Sequence, residues 1–321
     1  MKSGVHMLKK GLKIALLILL IFLILPYFIP REFDRAIPEK PYANSAFFTT
    51  QDGVRLHAQI FEPEGELVGK IVMIHGLGAS SFSYRNNAPY FAKQGYLVVA
   101  VDLPAFGYSS KEMGIDHSQV KRAEYIWEWL EELDESDGTE AWHLVGHSMG
   151  GSTVLAMSNQ KPNSVLSMNL IAGAVTQDVS RSTWWLSTPV GEWMKVALRY
   201  LIINEDRFSS ILKGAYNQTP SEEAVLGYLQ PLQTQGTIQA LLEFVKTSDN
   251  VTIDELNHNL PLHIFWGEED TWVGVENIAL IEDKAEVDAI VRFDGEGHCV
   301  HETAPGFNEE LLKLLQSVAK D

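Results

Sequence analysis

Ala141-Trp142-His143-Leu144-Val145-Gly146-His147-Ser148-Met149-Gly150-Gly151 is the stretch whose reading decides the fold. Its first five residues read as a short buried strand, and Gly151-Ser152-Thr153-Val154-Leu155-Ala156-Met157 as a helix opening on small residues. Between them stands G-x-S-x-G, the pattern in which a serine sits on a sharp strand-to-helix turn with its hydroxyl exposed. Glycines at both ends remove the Cβ atoms that would block such a turn. The N–H of Met149 then lies at a helix N-terminus, where it can stabilise negative charge.

Four further motifs follow apolar strands. His75-Gly76-Leu77-Gly78 comes after Ile71–Ile74, and Asp102-Leu103-Pro104-Ala105-Phe106-Gly107 after Tyr96–Val101. Gly267-Glu268-Glu269-Asp270 comes after Leu262–Trp266, and Gly297-His298 after Ala289–Phe293. In these motifs and their order the sequence resembles the α/β-hydrolase family, from about Phe47 to the C-terminus. The resemblance implies a mostly parallel central sheet flanked by helices, with a helical cap inserted between the sixth and seventh strands. It also implies a serine–acid–base set in the order Ser148, Asp270, His298. The oxyanion hole would be formed by the backbone N–H groups of Leu77 and Met149.

A serine hydroxyl is a weak nucleophile until a base takes its proton and a third group orients that base. His298 is the candidate base, with His301 the rival on the same loop. His75 is expected to be structural, and His143 and His147 lie on the strand of the elbow itself, a poor position for facing Ser148. Asp270 is the candidate orienting acid, with Glu268 and Glu269 as neighbours. Ser rather than Asp at the nucleophile position argues against dehalogenase and epoxide hydrolase chemistry. No cluster of Cys, His and carboxylates has metal-ligand spacing and no loop cradles phosphate, so no metal or cofactor is expected.

The 321 residues can bury one large core with an inserted subdomain. The net charge is −17, while the first thirteen residues hold four lysines and no acid. No basic run follows, which argues against nucleic acid as a partner. Leu12 to Ile29 is apolar except for Lys13, long enough at ~1.5 Å per residue to cross a thin bilayer. The bulky Pro26-Tyr27-Phe28-Ile29-Pro30 offers no signal-peptidase site, so a retained membrane anchor is expected, with the enzyme on the extracytoplasmic side. Cys299 is the only cysteine, which rules out an intrachain disulfide.

The expected organisation is a tail and anchor over 1–30, a spacer over 31–45, hydrolase core over 46–176 and 258–321, and a helical cap over 177–257. A hairpin is expected around Gln51-Asp52-Gly53, and helices near 84–94, 117–134, 149–160, 273–285 and 303–319. Thr219-Pro220-Ser221-Glu222 reads as a helix start with Pro at the first helical position. The cap segment is dense in Trp, Tyr and Phe, most of them expected in its own core, with Trp185 and Trp193 as first candidates for a substrate pocket. The resemblance, the anchor and the cap together imply a membrane serine hydrolase acting on small apolar carboxylic esters, similar to monoacylglycerol lipases and membrane esterases. The same elbow also occurs in C–C bond hydrolases and cofactor-free haloperoxidases, and a non-catalytic ligand-binding use of the fold is the remaining alternative.

Overall fold

The computed structural model describes residues 2–134, 141–177 and 182–318. Residues 178–181 of the expected cap and the final residue of the last expected helix lie outside the described residues. Eight strands form one sheet: β1 (Ser45–Thr49), β2 (Arg55–Phe61), β3 (Gly69–Ile74), β4 (Tyr96–Asp102), β5 (Trp142–His147), β6 (Val165–Ile171), β7 (Leu262–Gly267) and β8 (Ala289–Phe293). Their spatial order is β1-β2-β4-β3-β5-β6-β7-β8. The β1–β2 and β2–β4 pairs are antiparallel, and the β1–β2 hairpin turns at Gly53 with φ +80°. All other pairs are parallel.

Strands β3, β4, β5 and β7 are buried along their whole length. This is why they read as unbroken apolar runs rather than alternating ones: both faces are covered. Leu56, Val72, Val99, Leu144, Trp142 and Trp266 belong to the core on one face, and Ile71, Met73, Phe91, Val145, Phe265 and Leu311 to that on the other. Chain order reverses around β3, with β4 on one side and β5 on the other. Such a switch point opens a crevice at the carboxyl ends of the strands.

The described helices are α1 (Lys2–Ile24), α2 (Ala88–Lys93), α3 (Gln119–Asp134), α4 (Met149–Gln160), α5 (Pro189–Ala197), α6 (Glu205–Tyr216), α7 (Glu222–Leu232), α8 (Thr237–Thr247), α9 (Asn277–Glu282), α10 (Val300–Thr303) and α11 (Phe307–Val318). Helices α5 to α8 occupy the connection between β6 and β7, with a π-helical turn at Leu198–Ile202. The start of α7 differs from the expected one. Ser221 is its N-cap and accepts from Ala224 N–H, which leaves Pro220 outside the helix.

The apolar stretch forms α1 and a 3₁₀ turn, Leu25–Phe28. Lys9–Phe28 is long and apolar enough to cross a membrane, and only 6% of its most apolar window is buried. The segment after it departs from the expected free spacer. Glu32 accepts from Ile238 N–H and Gln239 N–H, capping α8 (3.3 and 2.8 Å). Arg35 O accepts from Gln235 N–H at 2.7 Å, and Phe33 and Tyr42 pack on the core of the insertion. Capping bonds and half-buried aromatics hold this segment down, and composition alone does not reveal either.

Candidate active site

Four loops at the carboxyl ends of β3, β5, β7 and β8 carry the motifs. Ser148 follows β5 with φ +51° and ψ −117°, a left-handed conformation that costs a non-glycine residue on the order of 1–3 kcal/mol. Close packing explains the flanking glycines. A Cβ at Gly146 would lie 2.4 Å from Gly150 O, and one at Gly150 only 2.2 Å from Ile74 O. The strained turn is held by Ser148 N–H donating to Ile171 O (2.9 Å) and by Ser148 O accepting from Gly151 and Ala174.

Asp270 and His298 meet at the ends of β7 and β8. His298 Nδ1 lies 2.7 Å from Asp270 Oδ2, with both side chains buried. Asp270 Oδ1 accepts from Trp272 N–H and Val273 N–H (2.8 and 3.0 Å), which fixes the carboxylate plane. His298 N–H donates to Ala215 O at the end of α6 (2.7 Å), so the insertion holds the base loop. Trp272 stacks on the His298 ring, centroids 5.5 Å apart. Sequence reading missed Trp272, although it stands only two residues beyond Asp270.

The other histidines separate by environment. His301 Nε2 bonds Ser83 Oγ at 2.9 Å, and burial drives its pKa down to about 3. It makes no bond to Asp270, unlike its rival. His75 Nδ1–H donates to Gly76 O and its Nε2 accepts from Leu103 N–H, a neutral ring pinning the Gly76–Leu77 turn. Burial lowers its pKa to about 4. His147 stands closer to the site than expected: its Nε2–H donates to His298 O (3.0 Å) and the two rings are 4.7 Å apart.

The Gly76–Leu77 turn passes against the elbow, since a Cβ at Gly76 would lie 3.1 Å from Ser148 Cβ. Met149 opens α4, and first-turn N–H groups have no intrahelical partner. Behind Met149 lies Arg122, fully buried, donating to Met149 Sδ and Pro104 O at 3.3 Å and stacked over Phe244. Burial pulls its pKa down to about 9 against the opposing charges of Asp249 and Asp116.

Two compartments meet at Ser148 and Leu77. The larger, about 470 Å³, is apolar and walled by the insertion through Leu198, Ile202, Phe208, Ile211, Leu212 and Leu241, with Trp272 and His298 at its floor. The smaller, about 200 Å³, is edged by Gln119, Lys246, Ser248, Asp249 and Asn250. A depression of about 570 Å³ near Asn257–Leu262 and Lys284–Asp288 touches none of these loops and has no part in the chemistry.

Trp185 and Trp193, expected at the pocket, are not among the described residues that line it. Trp185 Nε1–H donates to Ser182 O, and Trp193 turns outward to α1, where it stacks on Phe22. The cavity is lined mainly by aliphatic side chains of the insertion, which the search for aromatics passed over.

A family profile described as the alpha/beta hydrolase fold matches residues 70–305. The chain is 26% identical over 259 residues to an uncharacterized hydrolase of Bacillus subtilis, YugF, covering 80% of this chain and 92% of that protein. It is 25% identical to the 2-hydroxy-6-oxononadienedioate/2-hydroxy-6-oxononatrienedioate hydrolase of Burkholderia vietnamiensis, covering 83% and 93% of the two chains. Among solved structures it is similar to a membrane phospholipase A described as a bacterial virulence factor, with TM-score 0.67, 21% identity and 100% of both chains covered. The profile match spans most of the chain and all four motif loops: this protein belongs to the α/β-hydrolase family and is a hydrolase.

Proposed function

We propose that this hydrolase cleaves carboxylic esters with a long apolar arm through an acyl-enzyme on Ser148, and that α1 tethers it to a membrane. The observation that carries the reading is the buried His298–Asp270 hydrogen bond beside a strained Ser148 at the mouth of an apolar cavity. In this mechanism Ser148 Oγ attacks the ester carbonyl as His298 Nε2 takes its proton. The carbonyl oxygen becomes an oxyanion held by Leu77 and Met149 N–H, donors worth on the order of 3 kcal/mol each in such enzymes. His298 then protonates the leaving alcohol. Water, deprotonated by the same imidazole, releases the acid. Asp270 keeps Nδ1 protonated and the ring aligned throughout.

The two compartments support an amphipathic substrate, its hydrocarbon in the larger and a small polar end beside Gln119 and Asn250 in the smaller. The likeness to the ring-cleavage hydrolase of Burkholderia raises C–C bond hydrolysis as a second reading. That relative's name denotes a dicarboxylate substrate, which calls for two cationic partners, whereas Lys246 at the edge of the smaller compartment is the single Lys or Arg in the described linings of the two. The ester reading is therefore favoured. The fold likeness to the membrane phospholipase A runs through α1, in support of the tether. A series of p-nitrophenyl esters beside monoacylglycerols tests the reading, with a fluorophosphonate probe reporting whether Ser148 is activated. No labelling and no ester turnover would overturn it.

A further inference from the structure

The π-helical turn Leu198–Ile202 has two faces with different neighbours. Leu198, Ile202 and the following Ile203 line the apolar cavity. Tyr200 and Leu201 face outward, 48% and 65% exposed, and Val190 and Trp184 nearby are 55% and 74% exposed. Helix α1 runs against this same outer surface. Phe22 stacks on Trp193 with centroids 5.3 Å apart, Trp193 Nε1–H donates to Phe22 O (2.8 Å), and Tyr200 OH donates to Pro30 O (3.0 Å).

Depth follows from those contacts. The candidate span ends at Phe28, and Phe22 lies six residues earlier, about 9–11 Å further along the axis. If Phe28 marks the bilayer boundary, α5 meets α1 inside it, at the depth reached by interfacial helices. The side chains suit that level. Tyr27, Tyr200 and Trp184 are amphipathic aromatics of the kind enriched at that level, and Arg31 lies over the Tyr27 ring. Glu192 is paired with Arg31 and Lys195.

Resting on the reading of α1 as a membrane anchor, we propose that Trp184, Val190, Tyr200 and Leu201 lie in the interfacial layer of the bilayer that holds α1. The π-helical turn is then the wall through which hydrocarbon chains pass from lipid into the cavity. One side of it touches lipid and the other the cavity, and π-helical hydrogen bonding marks a place where a helix departs from its usual register.

The test uses the full-length protein in vesicles of phosphatidylethanolamine and phosphatidylglycerol. Val190→Glu with Leu201→Glu is expected to lower turnover of a vesicle-embedded long-chain ester at least ~10-fold, mainly through apparent KM. Turnover of a short soluble ester should stay within about two-fold. Brominated lipids should quench wild-type tryptophan fluorescence more than that of Trp184→Phe. Unchanged vesicle turnover and no difference in quenching, with the chain still resistant to carbonate washing, would overturn the membrane face and leave the anchor standing. Release of the wild type by carbonate would overturn both. Equal losses on soluble and vesicle esters would assign these residues to the folding of the insertion and overturn the proposal.

Discussion

Two groups of Ser, His and Asp stand among the described residues, and of these the second adjoins a described cavity. In the first, Ser45 Oγ lies 2.8 Å from His57 Nε2, and His57 Nδ1 lies 2.7 Å from Asp102 Oδ2. In the second, His298 Nδ1 lies at the same 2.7 Å from Asp270 Oδ2, with Ser148 on the neighbouring elbow. The surroundings differ. Asp102 also accepts from Ser81 N–H and Tyr108 N–H, and Ser45 Oγ accepts from Tyr42 N–H. None of the described cavities reaches Ser45. A Cβ at Gly107 would fall 2.0 Å from the Asp102 carboxyl carbon, so the loop closes directly over it. The first set ties β1, β2 and β4 together. Residue types and a short His–Asp bond do not by themselves make an active site: room for a carbonyl and unpaired N–H donors are also needed.

The largest contrast is at the serines. Ser148→Ala is expected to lower ester turnover by about four to six decades with little change in melting temperature. Ser45→Ala should leave turnover within a few-fold and cost about 1 kcal/mol of stability, the net worth of a hydrogen bond. Mass spectrometry after fluorophosphonate treatment should find the label on Ser148 alone. A label on Ser45 would erase the distinction between the two sets.

The aspartates should trade the same roles. Asp270→Asn is expected to reduce kcat by about four decades by favouring the wrong imidazole tautomer. Asp102→Asn should instead destabilise the fold by about 1–3 kcal/mol, because it disrupts a buried acceptor shared by His57, Ser81 N–H and Tyr108 N–H. Burial acts to raise the Asp102 pKa, but His57, His75 and Ser81 N–H together bring it below its ordinary 3.8. Its contribution to stability is therefore complete above that value and is lost as pH falls through the lower folded pKa. Melting curves of wild type and Asp102→Asn should converge in acid below the ordinary value. If the gap instead widened there, Asp102 would not be held as a carboxylate.

A third contrast concerns charge behind the oxyanion donors. Arg122 touches Met149 and forms no described ion pair, with Asp249 and Asp116 acting on it only through space, so a developing oxyanion would add a nearer counter-charge. Arg122→Met is expected to lower kcat by about ten-fold while stability holds or rises, since exchanging a buried charge for an apolar group is often neutral or stabilising. Affinity for an alkylboronic acid, which mimics the tetrahedral anion, should fall in parallel with kcat and KM should not. A loss confined to stability would make Arg122 a packing residue.

The sequence revealed the candidate site better than its surroundings, for a physical reason. The turns that carry Ser148, Asp270 and His298 are local, and their constraints fall on residues beside them: Gly146 and Gly150 because of clashes with Gly150 O and Ile74 O, Gly297 because Ala215 O lies close. Strands β3, β4, β5 and β7 were legible because each is buried on both faces. What the sequence hid depends on distant partners. Trp193 and Phe22 are 171 residues apart, as their hydrogen bond records, and nothing near Trp193 tells which way it points. Glu32 in a proline-rich, charged stretch reads as spacer, yet it caps a helix 206 and 207 residues away. The Ser45 set was equally invisible, because its members are scattered over three strands, Ser45 and His57 stand in no motif, and the motif that Asp102 opens gives no sign of them.

The smallest expected effects lie in chain-length preference, and they sharpen what separates the second set from the first: a cavity of about 470 Å³. Each methylene buried there is worth about 0.8 kcal/mol, or roughly four-fold in kcat/KM. The ratio for successive alkyl esters should climb by up to that factor and then fall once the chain outgrows the compartment. Ile211 and Leu212 stand on its wall, so Ile211→Trp or Leu212→Trp should move the optimum to shorter chains while acetate esters hold within about three-fold. Trp193→Ala, which opens no space in the cavity, should leave the optimum where it is. An optimum that moved with Trp193 but not with Ile211 or Leu212 would mean the hydrocarbon lies elsewhere, and a flat profile would mean the cavity does not hold it at all.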